Sequence, residues 1–190
     1  MGRTALGEAG VALFQAFERR KSLAGGQQPF AVILACSDSR VAPEIIFDQG
    51  LGDLFVIRVA GNVVDDAVLG SVEYSVIHLG SPLVVVLGHA RCGAVTATLE
   101  ALAGKGSPED RETKIGALAD LIAPAVRAVP PQAPDKLDAA IVLNAERSAR
   151  AILAGSPPLK ARAQSGALTV VSARYDLDQG TISHLQTAKP

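Results

Sequence analysis

Four short apolar runs are the feature that most restricts how this chain can fold. They read FAVILA at 30–35, LFVIRV at 54–59, PLVVVLG at 82–88 and LTVVSA at 168–173. Each run is rich in valine or other apolar residues and shows no clean apolar–polar alternation, which is typical of strands covered on both faces in a parallel sheet. Helical segments separate the runs, so we expect an α/β fold with a mainly parallel central β-sheet flanked by helices.

The segments between the strands carry helical spacing. In 65–80 the valines recur on one face, two aspartates stand near the start, and a glycine stands where a helix would stop. The segment 93–104 follows the third run directly and also ends at a glycine, while 134–155 has the pattern of one long amphipathic helix. The polar, proline-containing stretch 105–134 predicts a helix pair with an irregular break.

The two ends of the chain predict simpler elements. The tail indicates a strand, a turn at 178–180 and a short strand back, which would form a C-terminal edge strand. Residues 5–23 predict a helix outside the sheet. We therefore expect an N-terminal helical arm over 1–26 and a single α/β domain over 27–190.

Composition limits the partners and the compartment. The 190 residues carry a formal net charge of −1 with scattered basic residues, which argues against nucleic-acid or anionic-membrane partners. The first residues lack a signal-peptide pattern, and no run reaches the roughly 18 to 20 apolar residues of a membrane span. A cytoplasmic protein is expected, in which the only two cysteines stay reduced.

Two cysteines and a histidine follow the first and third strands. Cys36 directly follows the first run, and His89 and Cys92 lie in the GHARCGAV motif that follows the third strand. The carboxyl ends of parallel strands meet at one edge of a sheet, where such folds build their sites. Two cysteines and one histidine form a known catalytic zinc set that leaves the fourth tetrahedral position for water. The other two histidines lie within a helix and in the tail, so the pattern favours an open zinc site.

The residues around these ligands fit that chemistry. Cys92 and Gly93 stand at a helix N-terminus, whose partial positive charge favours a thiolate. Asp38 can accept a hydrogen bond from a zinc-bound hydroxide and orient it. Arg40 can hold that carboxylate with two parallel hydrogen bonds and keep it ionised.

The same residues also allow other interpretations. Each cysteine alone could be a small buried apolar residue, and the Asp-x-Arg pair could be a surface ion pair of little energetic consequence. A zinc-stabilised protein without enzymatic activity would need a closed site with four ligands. A phosphatase loop needs five residues between cysteine and arginine, whereas three separate Cys36 from Arg40. No strand is followed by a G-x-G-x-x-G or Walker-type nucleotide loop.

ACSDSRV followed by GHARCGAV is similar to the zinc site of the β-class carbonic anhydrases. The resemblance runs from about residue 27 to 185 and includes IFDQGLGDLFVIRVAGNVV, GSVEYSVIHLG and ARYDLDQG. It implies the reversible hydration of carbon dioxide to bicarbonate and a proton through zinc-bound hydroxide. It also implies one zinc ion per chain on the two cysteines and His89, with Asp38 and Arg40 as the catalytic dyad.

The resemblance further implies a substrate pocket and an oligomer. The family's pocket residues fall on Gln27, Phe55 and Tyr74, and Gly93 is grouped with them as a substrate-binding residue. In that family the pocket residues reach the site across a subunit boundary, so a homodimer or a higher homo-oligomer is expected.

Two points qualify the resemblance. Some relatives are regulated by bicarbonate through a tryptophan three residues before the first cysteine; Ile33 holds that position here, so Asp38 is expected on Arg40 rather than on zinc. A related activity on the same zinc scaffold, hydrolysis of carbonyl sulfide or carbon disulfide, is the alternative function.

Overall fold

A five-stranded sheet forms the centre of the protein. The computed structural model describes residues 17–107 and 113–190. The sheet has the order β2-β1-β3-β4-β5, in which the first four strands are parallel and β5 pairs antiparallel with β4. The strands are β1 (Ala31–Ala35), β2 (Leu54–Arg58), β3 (Leu83–His89), β4 (Thr169–Tyr175) and β5 (Ile182–Thr187). The predicted α/β class, the mainly parallel sheet and its C-terminal edge strand are confirmed.

Helices connect the parallel strands and cover the sheet. They are α1 (Pro43–Ile46), α2 (Asp66–His78), α3 (Gly93–Leu102), α4 (Ile115–Arg127), α5 (Lys136–Gly155) and α6 (Pro157–Gln164), with a 3₁₀ turn at Ala60–Asn62 and helical residues at 17–22. Two of the helices begin at aspartate caps, because Asp65 accepts a hydrogen bond from the amide of Val68 at 2.8 Å and Asp135 accepts one from Asp138 at 2.9 Å.

The interior of the sheet explains the uninterrupted apolar runs. Every residue of β1 is buried, and so are the last six residues of β3, since both strands lie between neighbours. One face of the sheet packs against α2, α5 and α6, where Val72, Ile152 and Leu159 are fully buried. A second cluster, around α4, includes both cysteines and Ile122. The two cysteines among the ligand candidates therefore stand in a densely packed part of the protein.

Some predicted elements differ from the structure. The helix pair expected over 105–134 is a single helix, α4, in the described part of that stretch, and residues 108–112 lie outside the described residues. The break falls at the prolines after α4, as expected. Helix α6 was not predicted; two prolines at its first two positions suit a helix start, and the hydroxyl of Ser156 caps it. Of the helix expected at 5–23, only residues from 17 onward are described.

No helix in the described part of the chain combines the length and the apolar character needed to cross a membrane.

Candidate metal centre

Three side chains from two adjacent strand ends meet at the carboxyl edge of the sheet. Cys36 follows β1, His89 is the last residue of β3, and Cys92 caps the start of α3. The two cysteines are 56 residues apart in the chain. Because β1 and β3 are neighbours in the sheet, their Sγ atoms nevertheless lie 4.0 Å apart. One ligand atom from each of the three residues lies within 4.8 Å of the others, and all three side chains are buried. Two sulfurs on one tetrahedral zinc, each at 2.3 Å, would be about 3.8 Å apart.

The imidazole of His89 is prepared to act as a ligand. The ring is completely buried, and its Nδ1 lies 3.0 Å from the carbonyl oxygen of Ala90, so Nδ1 carries the proton that is donated to that oxygen. The lone pair is then on Nε2, which has no hydrogen-bond partner among the described residues. A buried polar atom without a partner is costly, and a metal ion at the two sulfurs would satisfy it. The residues therefore fit zinc.

The contact between the two thiols favours a thiolate on one of them, Cys36. The thiol of Cys92 hydrogen-bonds to the sulfur of Cys36 and, together with the amide of Gly61 at 3.3 Å, lowers the pKa of Cys36 against the opposing effect of burial. The same contact, followed by burial, raises the pKa of Cys92, while the amides of Ala94 and Val95 at the start of α3 act in the opposite direction. A divalent cation between the sulfurs would allow both to be thiolates.

Asp38 and Arg40 form a pair beside the ligands. Nε and Nη2 of Arg40 lie 2.9 Å from Oδ1 and 2.7 Å from Oδ2 of Asp38, and the Arg40 amide also donates to Oδ1 at 3.0 Å. These bonds hold the pKa of Asp38 well below its usual range, so the carboxylate is ionised at neutral pH. Oδ2 also lies 3.9 Å from Nε2 of His89, which places a negative charge next to the ligand cluster.

Arg58 was not singled out in the sequence, yet it holds the loop that carries the first ligand. From the end of β2 its Nε donates to the carbonyl of Cys36 at 3.0 Å and its Nη2 donates to the carbonyl of Asp38 at 2.5 Å. The sequence feature that could have identified it is the arginine at the end of an otherwise apolar strand.

A second arginine holds the other ligand loop. Arg91 has a left-handed φ of 53°, and its guanidinium makes two bonds to Asp178 in the β4–β5 turn, at 2.6 and 2.8 Å. The carbonyl of Arg91 also accepts from Nη2 of Arg40 at 3.3 Å, so the loop between the histidine and the second cysteine is joined to the Asp38–Arg40 pair. Nothing in the local sequence indicated this long-range contact.

The expected substrate-pocket residues are placed apart from the ligands of the same chain. Phe55 and Tyr74 lie together, with ring centroids 6.2 Å apart. However, Phe55 pairs with Val32, four residues before Cys36, and a strand rise of about 3.3 Å per residue makes that separation roughly 13 Å. Gln27 precedes β1 and is exposed. One chain therefore does not bring these three residues to its own metal ligands.

Gly93, the fourth residue expected to bind substrate, does lie beside the ligand candidates. It is exposed and opens α3 directly after Cys92. A substrate approaching the ligand cluster at this helix start would meet backbone rather than a side chain.

Comparison with known proteins agrees with this geometry. A family model described as carbonic anhydrase matches residues 31–182. A protein named carbonic anhydrase 2 from Mycobacterium tuberculosis is 43% identical over 166 residues, which cover 87% of this chain and 79% of that protein. A carbonic anhydrase from Mycolicibacterium smegmatis is 65% identical over 88 residues, or 46% of this chain and 43% of that protein.

Solved structures give the same result for the fold. A tetrameric β-carbonic anhydrase from Sordaria macrospora has a TM-score of 0.78 at 25% identity, covering 95% of this chain and 92% of that chain. A Coccomyxa β-carbonic anhydrase in complex with acetazolamide has a TM-score of 0.77 at 26% identity, covering 96% and 86%.

Proposed function

Because the chain belongs to the β-class carbonic anhydrases, we propose that it catalyses the reversible hydration of carbon dioxide to bicarbonate and a proton, with one zinc ion held by Cys36, His89 and Cys92. The observation that carries the proposal is the buried convergence of two thiols and an unpartnered imidazole nitrogen. Zinc bound by this set would act as a Lewis acid that acidifies a water in the remaining tetrahedral position, so that hydroxide is available near neutral pH.

The Asp38–Arg40 pair would orient the nucleophile. Asp38 is ionised and can only accept hydrogen bonds, so a water beside the ligand cluster would point a proton at the carboxylate and an oxygen lone pair elsewhere. Arg40 holds the carboxylate by three contacts, which would keep it from binding the metal as a fourth ligand. In the reaction a water oxygen bonds to the carbon of carbon dioxide and one water proton leaves to buffer. The half-exposed Arg40 side chain marks the side of the site that is open to solvent.

The walls of the substrate site would come from a second copy of the chain. We infer that Gln27, Phe55 and Tyr74 of one subunit face the ligands and Gly93 of another, in a homodimer or a larger homo-oligomer. The separation of these residues from the ligands within one chain supports this arrangement, and the side chain of Tyr74 is 49% exposed here. An aromatic wall suits carbon dioxide, which has no net dipole, and the Gln27 amide could donate to one of its oxygens.

We infer a cytoplasmic location and a single catalytic domain for this chain. A reducing cytoplasm would preserve both cysteines as zinc ligands, which supports a cytoplasmic location. We also propose that residues 27–190 form the single catalytic domain and that 1–26 form an arm; residues 1–16 lie outside the described part. Zinc and carbon dioxide are then the small-molecule partners, with no part for nucleic acid.

The other candidate functions have less support. None of the relatives reported above is named as a hydrolase of carbonyl sulfide or carbon disulfide. A closed structural zinc site would need a fourth ligand, and the metal-ligand cluster found among the described residues has three members.

The test is a measurement of zinc content together with the rate of carbon dioxide hydration in a stopped-flow assay with a pH indicator. The wild-type protein should contain about one zinc per chain and hydrate carbon dioxide. Cys92→Ala should lose both properties, whereas Glu100→Ala, at an exposed position of α3, should keep both. Hydration at the wild-type rate by metal-free Cys92→Ala protein would refute the proposal.

A further inference from the structure

The 3₁₀ turn at Ala60–Asn62 contacts the first candidate ligand through a backbone amide. The amide of Gly61 donates to Sγ of Cys36 at 3.3 Å, in a buried position. An amide donor to a metal-bound thiolate lowers the electron density that the sulfur gives to the metal and fixes the direction of its lone pairs. The position of this amide therefore affects how Cys36 binds.

Glycine is required at position 61 for two reasons. Its φ of 73° lies in the left-handed region, and a Cβ there would come within 2.6 Å of Cδ1 of Ile122 and 3.3 Å of Cβ of Ala94. The same absence of a side chain makes Gly61 the least restrained residue of the turn. Something outside the residue must hold its amide on the sulfur.

The peptide between Gly61 and Asn62 is held at both of its polar atoms. Its N–H donates to the carbonyl of Val59 at 2.9 Å, and its carbonyl accepts from Nδ2 of Asn144 at 2.7 Å. Asn144 comes from α5, 83 residues along the chain, and its side chain is 98% buried. Only the amide nitrogen of asparagine can donate, so this contact fixes which way the side-chain amide points.

We propose that Asn144 is a positioning residue for the metal centre: by binding the Gly61 carbonyl it restrains the conformation of Gly61, whose amide, in the preceding peptide unit, donates to Sγ of Cys36. The inference rests on the zinc site of the proposed function. It assigns Asn144 an effect on metal affinity and on the sulfur–metal bond, although Asn144 contacts neither the metal nor the sulfur.

A purely structural role for Asn144 makes a different prediction. Removing a buried hydrogen-bond donor destabilises the fold by leaving the Gly61 carbonyl without its partner. A structural residue would do this without a specific effect on the metal. The experiment must therefore compare Asn144 with a residue of the same helix whose loss also destabilises the protein. Ile152 is suitable, because it is fully buried on α5 two turns beyond Asn144 and belongs to the cluster on the sheet face.

The test uses Asn144→Asp, Asn144→Ala and the control Ile152→Ala. The dissociation constant of zinc is measured by competition with a chelating dye, and the thiolate-to-metal absorption band is recorded after replacement of zinc by Co²⁺. Thermal unfolding reports the stability of each variant. We expect both Asn144 variants to bind zinc about 10- to 100-fold more weakly and to shift the Co²⁺ band. The Ile152 variant should unfold at a lower temperature but keep the parent's zinc affinity and absorption band.

The outcomes separate this inference from the proposed function. Equal zinc affinities and bands in the Asn144 and Ile152 variants would overturn the positioning role, even if the parent hydrates carbon dioxide. A parent that binds zinc but does not hydrate carbon dioxide would overturn the proposed function, while weaker zinc binding in the Asn144 variants would still support the positioning role. If Asn144→Asp does not fold, because a carboxylate would face a carbonyl, Asn144→Ala gives the same comparison.

Discussion

The guanidinium of Arg40 meets both carboxylate oxygens of Asp38, with contacts of 2.9 Å and 2.7 Å. The two residues are separated by one position in the chain, and the Arg40 amide adds a third bond to the same carboxylate. A carboxylate held at both oxygens by a planar guanidinium has a fixed orientation as well as a fixed charge.

Replacing Arg40 should reduce turnover without removing the metal. In Arg40→Ala the Asp38 carboxylate is no longer held, and the resulting misplacement should lower kcat/KM for carbon dioxide hydration by roughly 100-fold. Zinc content should stay at the wild-type level, since Arg40 is not among the ligand candidates. Arg150→Ala is the matched control, because Arg150 pairs with Glu146 on the exposed side of α5. An Arg40 variant as active as the Arg150 variant would contradict the role of the pair.

The same pair should stabilise the fold in a pH-dependent way. Arg40 lowers the pKa of Asp38 in the folded protein below the value of about 3.9 found in unfolded chains. The unfolded state therefore binds the proton more tightly, and the stabilisation is fully present above the unfolded pKa and is lost as pH falls through the folded pKa.

Urea unfolding of metal-free protein checks this sign. The difference in midpoint between wild type and Arg40→Ala should be constant from about pH 6 to 8 and should shrink below about pH 4. A difference that grows on acidification would mean that the pair does not stabilise the ionised form of Asp38.

Arg58 should matter for turnover although its bonds go to backbone carbonyls and not to any of the three candidate ligand atoms. Its two bonds to backbone carbonyls hold the loop from Cys36 to Asp38. Arg58→Ala should therefore lower kcat/KM by roughly 10- to 100-fold. The kcat/KM of Arg58→Lys should fall between those of wild type and Arg58→Ala, because an ammonium group cannot present the guanidinium's two donors in the same fixed geometry. Steady-state hydration rates with zinc content measured in parallel decide this. A lysine variant as active as wild type would contradict this role of the guanidinium geometry, because lysine keeps the charge but not the paired donors.

Mixed oligomers should reveal that each site is built from two chains. Cys92→Ala removes a ligand, and Tyr74→Ala removes the exposed pocket residue, so each variant alone should be poorly active. In a mixed dimer one site carries both defects and the other carries neither. Random pairing of equal amounts should therefore restore about one quarter of the wild-type activity. Co-refolding followed by the hydration assay measures this. If activity is not restored although mixed dimers form, the pocket is built within one chain.

The fold class was predictable from the sequence, because burial on both faces leaves a direct mark on composition. All five residues of β1 and the first five residues of β3 are apolar. The aspartate cap before α2 and the glycine just beyond the end of α2 mark the limits of that helix in the local sequence. Helix α6 was missed, since its proline pair resembles a loop when the capping contact is not visible.

The candidate ligands were predictable for a related reason. Cys36 and His89 stand at the carboxyl ends of two predicted parallel strands, and the carboxyl ends of parallel strands share one edge of the sheet. The structure adds that these two strands are direct neighbours. Asp38 and Arg40 are two residues apart, and their pairing needs no tertiary information.

The chain by itself therefore determined the strands, the sheet edge that carries the ligands, and the types of atom available to a metal. Only the tertiary structure decided what holds those atoms in place. Arg58, Asp178 and Asn144 act on the site from 20 to 87 residues away along the chain, each through one or two hydrogen bonds. Such contacts depend on where a side chain ends after packing, and neither periodicity nor local spacing records that position.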